Sequence, residues 1–303
     1  ACVDGYDLSS EFAMHGLVVD DGIGVVMKTA VCGLVLLTFC YSRRYAADRQ
    51  LLRSEYLVLG LFGTVGMMVM VSAAHLITLY VGLELLSLCL YGMVAFRRDS
   101  LPATEAAMKF FILGALASGV LLYGMSLLYG LTGSLQISEV RAAMTELPSN
   151  DKTLAVAVVL VIAGLMFKIG AVPFHMWVPD VYEGAPTPIT AFLSVASKAA
   201  GFAVIMRVLY SAFGLESVST DWANLIAVLS AISMTVGNLI AIKQDNIKRL
   251  LAYSTIAQAG YIMIGLAAVA TTSQGGNLSG PSGILFYLAG YIGTNLAAFS
   301  ILI

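Results

Sequence analysis

The chain has 303 residues, of which 59% are hydrophobic and only 11% are charged, and its net charge is −2. Soluble domains usually carry about 25% charged residues, so this composition excludes a soluble globular fold. The near-neutral charge also argues against a nucleic-acid partner, which would require a basic surface. The composition predicts an all-α, polytopic membrane protein.

Nine apolar runs are long enough to cross a bilayer, which takes roughly 20 residues. They lie at 22–41, 56–74, 75–96, 104–130, 152–172, 188–213, 223–242, 248–270 and 283–303. The second and third runs meet near His75, but one helix of their combined length would be about twice the thickness of the hydrocarbon core. We therefore expect nine transmembrane helices after an acidic extramembrane segment at 1–21. The last run stops without a cap or flanking charge, so we expect a longer parent chain.

Lysine and arginine concentrate in alternate loops. One side of the predicted membrane receives Arg43, Arg44, Arg49, Arg53, Arg97, Arg98, Lys243, Lys248 and Arg249, whereas the other side receives Arg141 and Lys152. Basic loops usually stay on the cytoplasmic side. We therefore expect the N-terminal segment outside and residue 303 inside.

Residues that would bind a cofactor or a metal are not grouped in this sequence. The four cysteines, at positions 2, 32, 40 and 89, lack metal-binding spacing. Gly22 and Gly24 are followed by Met27 where a dinucleotide fingerprint requires glycine. We expect no cofactor, no metal and no NADH site in this chain.

Residues 168–190 contain four of the seven prolines. Proline removes a backbone donor and clashes with the preceding turn, so we expect a helix break near 170–173. Inside a bilayer such a break is tolerated only where protein or water satisfies the freed backbone groups. A weak internal repeat, Lys109–Gly114 against Leu285–Gly290, also fits transporters that are built from repeats with broken helices.

Three ionisable residues within the apolar runs are the main candidates for a function. Glu84 shares a helical face with Tyr80, Ser87 and Tyr91, Lys198 follows Thr190 and Ser194, and Lys168 immediately precedes the predicted break. Each buried charge costs at least ~2.5 kcal/mol, so each one indicates a function, here proton transfer. The structural alternatives are a buried salt bridge for Glu84 and snorkelling of Lys168 toward the inner interface.

Lys109 and His175 are supporting candidates for the same site. Lys109 follows Glu105 by four residues, so an ordinary ion pair near the helix end explains it equally well. His175 could relay protons, since the ordinary pKa of histidine is near neutrality. It could equally be a loop histidine with a hydrogen-bonding role.

The segment Phe167–Pro188, with the sequence FKIGAVPFHMWVPDVYEGAPTP, resembles the signature of the antiporter-like membrane subunits of respiratory complex I. Further similar segments are Gly82–Leu85, Ser197–Ala200 and Lys243–Ser254. Within that family, Pro179–Pro188 is more similar to the subunit N branch than to the L and M branches.

The resemblance implies inverted five-helix repeats. The first would span 56–213 and carry a proton half-channel, preceded by a leading helix and a basic cytoplasmic loop at 22–55, and 214–303 would begin a truncated second repeat. The resemblance also implies that Glu84 and Lys168 interact and that Lys198 connects them toward the midplane, with Lys109 and His175 in support. The central lysine of the second half-channel would lie beyond residue 303.

The same resemblance implies a location and partners. These are the bacterial inner membrane, the other membrane subunits of complex I, the lipid bilayer and the translocated protons, with quinone reduction elsewhere in the complex as the energy source. A plastid relative fits as well. Two alternatives stay open: a related cation/proton antiporter, and a structural subunit whose buried charges only specify helix packing.

Overall fold

The computed structural model describes residues 11–148, 151–270 and 279–303, which are helical apart from one β-hairpin. Nine helical spans in these ranges are long and apolar enough to cross a membrane, so the predicted number is confirmed. The helices are α1 Gly22–Asp48, α2 Ser54–Val71, α3 Leu76–Val94, α4 Leu101–Thr132, α5 Ile137–Glu146, α6 Lys152–Ile169, α7 Trp177–Gly184, α8 Thr187–Phe192, α9 Lys198–Arg207, α10 Glu216–Ala241, α11 Ile247–Ala270 and α12 Ser279–Leu302.

Part of the predicted acidic segment forms a hairpin, with β1 at Glu11–Ala13 and β2 at Val18–Asp20. The hairpin is tied to the α2–α3 connection, since the Val19 amide donates to the Ser72 carbonyl at 2.8 Å. Asp21 then caps α1 and accepts a bond from Arg207 of α9 at 3.0 Å. Residues 1–10 of the acidic segment lie outside the described residues.

The predicted helix break is present. Helix α6 ends at Ile169, and Gly170 adopts a left-handed backbone conformation with φ of +68°, which glycine tolerates without steric cost. The sequence did not predict that the chain resumes helical structure in α7. Helices α6 and α7 both pack against α4: Gly164 of α6 lies against Leu121, and Gly184 of α7 lies against Ala106. Each segment of the broken helix therefore covers a different half of α4.

Among the described spans, Thr187–Ala212 is the most buried. The protein covers 89% of its most apolar stretch. It consists of α8 and α9 joined by a π-helical segment, Leu193–Ser197, and it ends in a second π-helical segment, Val208–Ala212. The extra residue per turn in a π-helix changes which side chains face the bundle, and such turns are frequent at functional sites. This span places Lys198 in the centre of the molecule.

The described helix α5 was not predicted. It lies between two membrane spans and buries Ile137, Val140 and Met144 along one side. Its Arg141 donates to the Tyr210 carbonyl at 3.0 Å. The guanidinium therefore joins α5 to the irregular end of the central span.

Candidate functional site

Glu84 lies on α3 and is half-buried. The hydroxyl of Ser118, on α4, donates a hydrogen bond to its carboxylate. A bond from a neutral donor stabilises the carboxylate without supplying a compensating charge. Glu84 is therefore a carboxylate held within the bundle by a hydroxyl.

Lys168 reaches the same helix one turn further along. Its ammonium donates to the Ser87 hydroxyl at 2.6 Å, and that hydroxyl in turn donates to the carbonyl of Leu83. The resemblance implied that Glu84 and Lys168 interact, but none of the ion pairs among the described residues joins these two side chains. Ser87 is therefore the direct partner of Lys168.

A cavity of about 30 Å³ lies beside Lys168. Its polar lining consists of Lys168, Ser87 and Ser197, and the aromatic rings of Phe110 and Trp177 form part of the wall. A water molecule requires a cavity of roughly 10–15 Å³, so this one has room for one or two waters. Since Ser197 directly precedes Lys198, the cavity extends from one lysine to the residue next to the other.

Lys198 begins α9 and is only 2% exposed. Its ammonium donates to the carbonyl of Ile169, the last residue of α6. In a continuous helix that carbonyl would accept a bond from residue 173, but Pro173 has no N–H group. The helix break therefore supplies a free backbone oxygen to the lysine.

Other backbone groups at the break are also satisfied by protein. The Val172 amide donates to the Ser233 hydroxyl of α10 at 3.0 Å. The Trp177 indole donates to the Phe167 carbonyl at 3.0 Å. These bonds meet the condition under which a broken helix is tolerated inside a bilayer.

Lys109 does not lie with the buried groups. Its side chain is 45% exposed and contacts Glu105 and Asp180, each at 2.8 Å. Arg249 of α11 joins Asp180 to Glu183 through contacts of 3.0 and 2.8 Å. We call these five residues the inner ion cluster, because they lie at the end of the bundle that carries the basic loops.

Asp180 is the centre of the inner ion cluster. Partial burial raises the pKa of its carboxyl, but the hydrogen bonds from Lys109 and Arg249 outweigh this effect and hold the pKa below its ordinary value. The carboxylate therefore stays charged at neutral pH. The cluster joins α4, α7 and α11 by paired charges.

His175 lies in the connection between α6 and α7, and its ring is half-buried. Its Nδ1 atom is buried and makes no hydrogen bond of ordinary geometry among the described residues. None of the described side-chain hydrogen bonds joins it to Glu84, Lys168 or Lys198. The structure therefore brings three of the five predicted residues together along the interior and leaves His175 and Lys109 apart from them.

The sequence did not indicate the role of Ser118. It is a single serine in the apolar run Leu113–Val120, and a lone polar residue of this kind was the only available signal. It is 34 residues from Glu84, so only the packing of α4 against α3 brings the two side chains together.

A bundle of membrane-spanning helices with a broken helix, one interior carboxylate and two interior lysines has the architecture of an antiporter-like membrane protein. The family described as "NADH:quinone oxidoreductase/Mrp antiporter, TM" matches residues 73–303. The chain belongs to this family.

Comparisons with individual proteins agree with that assignment. NADH-quinone oxidoreductase subunit N of Thioalkalivibrio sulfidiphilus is 51% identical over 93% of this chain, and the match spans 57% of that relative. A chain in respiratory complex I from Thermus thermophilus with bound aureothin aligns over 96% of this chain and 59% of its own length, with 37% identity and a TM-score of 0.76. A chain in the Mrp complex from Dietzia sp. DQ12-45-1b is 26% identical over 93% of this chain and 50% of its own length, with a TM-score of 0.80. The predicted resemblance to subunit N is confirmed.

Proposed function

We propose that this chain is a proton-translocating membrane subunit of NADH:quinone oxidoreductase. Its partners are the other membrane subunits of that complex in the bacterial inner membrane. We infer from the sequence that the redox centres, cofactors and nicotinamide site belong to other subunits, and that translocation is coupled to quinone reduction elsewhere in the complex. The observation that carries the proposal is the interior series of Glu84, Lys168, the adjoining cavity and Lys198.

The series is suited to proton transfer because each charge is bonded to a neutral group. Burial makes a lysine give up its proton more readily, and a nearby carboxylate charge restores its affinity. A change in the charge or position of Glu84 therefore makes the Lys168 amine bind or release a proton, with Ser87 lying between the two groups. Water in the adjoining cavity then carries the released proton toward Lys198.

The chain requires an external source of energy for uphill transfer. Moving one charge across 100 mV takes about 2.3 kcal/mol. The sequence contains no phosphate-binding loop and no complete dinucleotide fingerprint. Conformational coupling to neighbouring subunits is therefore the proposed source.

The test replaces Glu84 or Lys168 in the full chain within the assembled complex, in inverted membrane vesicles. Glu84→Gln leaves the lysine charge without compensation, which costs at least ~2.5 kcal/mol and corresponds to a roughly 70-fold slower transfer. We expect Lys168→Met to be as severe. NADH-driven acidification, measured with a pH-sensitive dye, reports translocation, and NADH oxidation by an artificial acceptor reports the redox subunits.

Lys152→Met is the matched control, because Lys152 is an exposed lysine at the start of α6. Native gels measure the amount of assembled complex for each variant. Normal acidification by assembled Glu84→Gln and Lys168→Met complexes would overturn the proposal. That result would favour the alternative in which the buried charges only specify helix packing.

A second candidate is a subunit of a cation/proton antiporter, which the similarity to a chain of the Mrp complex favours. Purification separates the two candidates. A complex I subunit co-purifies with flavin and iron–sulfur subunits and gives NADH-dependent acidification. An antiporter subunit lacks both and instead gives sodium-dependent proton exchange in vesicles.

A further inference from the structure

Helices α2 and α3 cross at an unusually close contact. A methyl group built on Gly66 would lie 2.7 Å from both the Gly82 carbonyl oxygen and the Leu86 amide nitrogen. Distances this short leave no room for a side chain at position 66. The backbones of the two helices therefore touch at this point, two residues before Glu84.

Helices α10 and α11 make the same contact. A methyl group built on Gly237 would lie 2.9 Å from the Tyr253 carbonyl oxygen and 2.7 Å from the Ala257 amide nitrogen. All three residues lie 171 positions after their counterparts in the first crossing. Helix α2 starts at the end that carries the basic loops and α10 ends there, so the second crossing is inverted relative to the first.

This correspondence identifies the residue of α11 that matches Glu84. It is Thr255, two residues after Tyr253. The contacts from the following helix agree: Ser118 of α4 bonds to Glu84, and the Tyr291 hydroxyl of α12 lies 3.3 Å from the Thr255 hydroxyl. The second crossing therefore has a neutral hydroxyl where the first has a carboxylate.

The matching site is deeply buried. Thr255 is 1% exposed, Tyr291 is 4% exposed and the neighbouring Tyr182 of α7 is completely buried. The Tyr182 hydroxyl lies beside the other two but makes no hydrogen bond of ordinary geometry among the described residues. Burying a polar group without a partner is costly, so this arrangement requires an explanation. We call these three residues the hydroxyl cluster.

The hydroxyl cluster contacts the helix of the central lysine. The Tyr291 hydroxyl lies 3.1 Å from the carbonyl oxygen of Ser194, to which it donates. Ser194 lies four residues before Lys198 in the same span, so the cluster contacts the segment that carries the lysine.

We propose that the hydroxyl cluster passes protons between Lys198 and the second half of the protein, an inference that rests on the proposed function above. In each step an oxygen of the cluster accepts a proton on a lone pair and releases its own hydroxyl proton to the next oxygen. One O–H bond forms and one breaks, so every side chain ends neutral. The cluster thus replaces the carboxylate of the first crossing by a relay that keeps no charge.

The experiment uses the full chain in the assembled complex, with acidification of inverted vesicles as the readout. Thr255→Val keeps the shape of threonine and removes the hydroxyl, whereas Thr255→Ser keeps the hydroxyl and loses a methyl group. We expect Thr255→Val and Tyr291→Phe to lower translocation at least about tenfold, and Thr255→Ser to stay near the wild-type rate. Tyr129→Phe, at an exposed tyrosine of α4, is the control.

The threonine pair separates a relay from a packing role. A role in packing alone predicts that valine is tolerated better than serine, and that result would overturn the proposal even if Tyr291→Phe assembles poorly. Wild-type translocation by both Thr255→Val and Tyr291→Phe would also overturn it. If Glu84→Gln stops translocation while the hydroxyl variants work normally, this inference fails and the proposed function stands. If Glu84→Gln works normally, the proposed function itself fails.

Discussion

The interior series and the inner ion cluster hold their charges in different ways. In the interior, Glu84, Lys168 and Lys198 are each bonded to a neutral hydroxyl or carbonyl. In the cluster, Lys109 and Arg249 contact carboxylates at 2.8–3.0 Å. Both arrangements lie in one bundle, and both use lysine and a carboxylic acid.

The difference shows how the same residue types serve two purposes. A close opposite charge stabilises the charged form of its partner, so a paired lysine or aspartate keeps its protonation state. A neutral partner orients a charged group without fixing its protonation in this way. The interior series is therefore suited to exchange protons, and the ion cluster is suited to join helices.

The largest expected effect follows from removing the central lysine of the interior series. Lys198→Met keeps the apolar stem and removes the ammonium that donates a hydrogen bond to the Ile169 carbonyl. We expect acidification of vesicles to fall roughly 70-fold or more, because no other described side chain offers a charge at this position. Normal acidification by assembled Lys198→Met complexes would show that the interior series, like the inner ion cluster, is not required for proton transfer.

A smaller effect is expected from Ser87→Ala, which removes the hydroxyl between Lys168 and α3. A hydrogen bond to a charged group contributes about 1.5–3 kcal/mol, so a roughly tenfold or greater loss of translocation is expected. Thr64→Val is the control, since the Thr64 hydroxyl donates to the Gly60 carbonyl of its own helix. Equal rates for the two variants would mean that Lys168 needs no neutral bridge.

The smallest effect is expected from Asp180→Asn in the inner ion cluster. Two partly exposed ion pairs contribute about 1 kcal/mol or less in total, and translocation should be unchanged. The pKa of Asp180 is lowered in the folded protein, so its stabilisation is complete above the ordinary aspartate pKa and is lost as the pH falls below it. Thermal unfolding in detergent should separate the variant from wild type at pH 7 and not in strong acid. A block in translocation would show that the cluster does more than join helices.

Much of the fold follows from composition and local pattern. The nine spans were predicted because each is a long apolar run, and the break near Gly170 was predicted because proline cannot donate a backbone hydrogen bond. The hairpin, α5 and α7 were not predicted. They are short, and contacts with the longer helices decide their conformation rather than any periodic pattern of their own.

The site was predictable to the extent that charge is costly in a membrane. Glu84, Lys168 and Lys198 were identified because each requires a reason to lie in an apolar run. Their partners were not identified, since Ser118, Ser87 and the Ile169 carbonyl are common groups that only tertiary packing brings into contact. The same limit applies to Lys109, whose contact with Asp180 joins residues 71 positions apart.

The oxygen that holds Lys198 belongs to the main chain, so no exchange of the Ile169 side chain can delete it. Pro173, a residue that carries no charge, helps to keep that oxygen available because it has no N–H group that could compete for it. A codon change at position 173 could therefore restore a competing N–H and draw the carbonyl away from the lysine. An inherited variant of this protein could disable an ionisable group 25 residues downstream without altering any polar side chain.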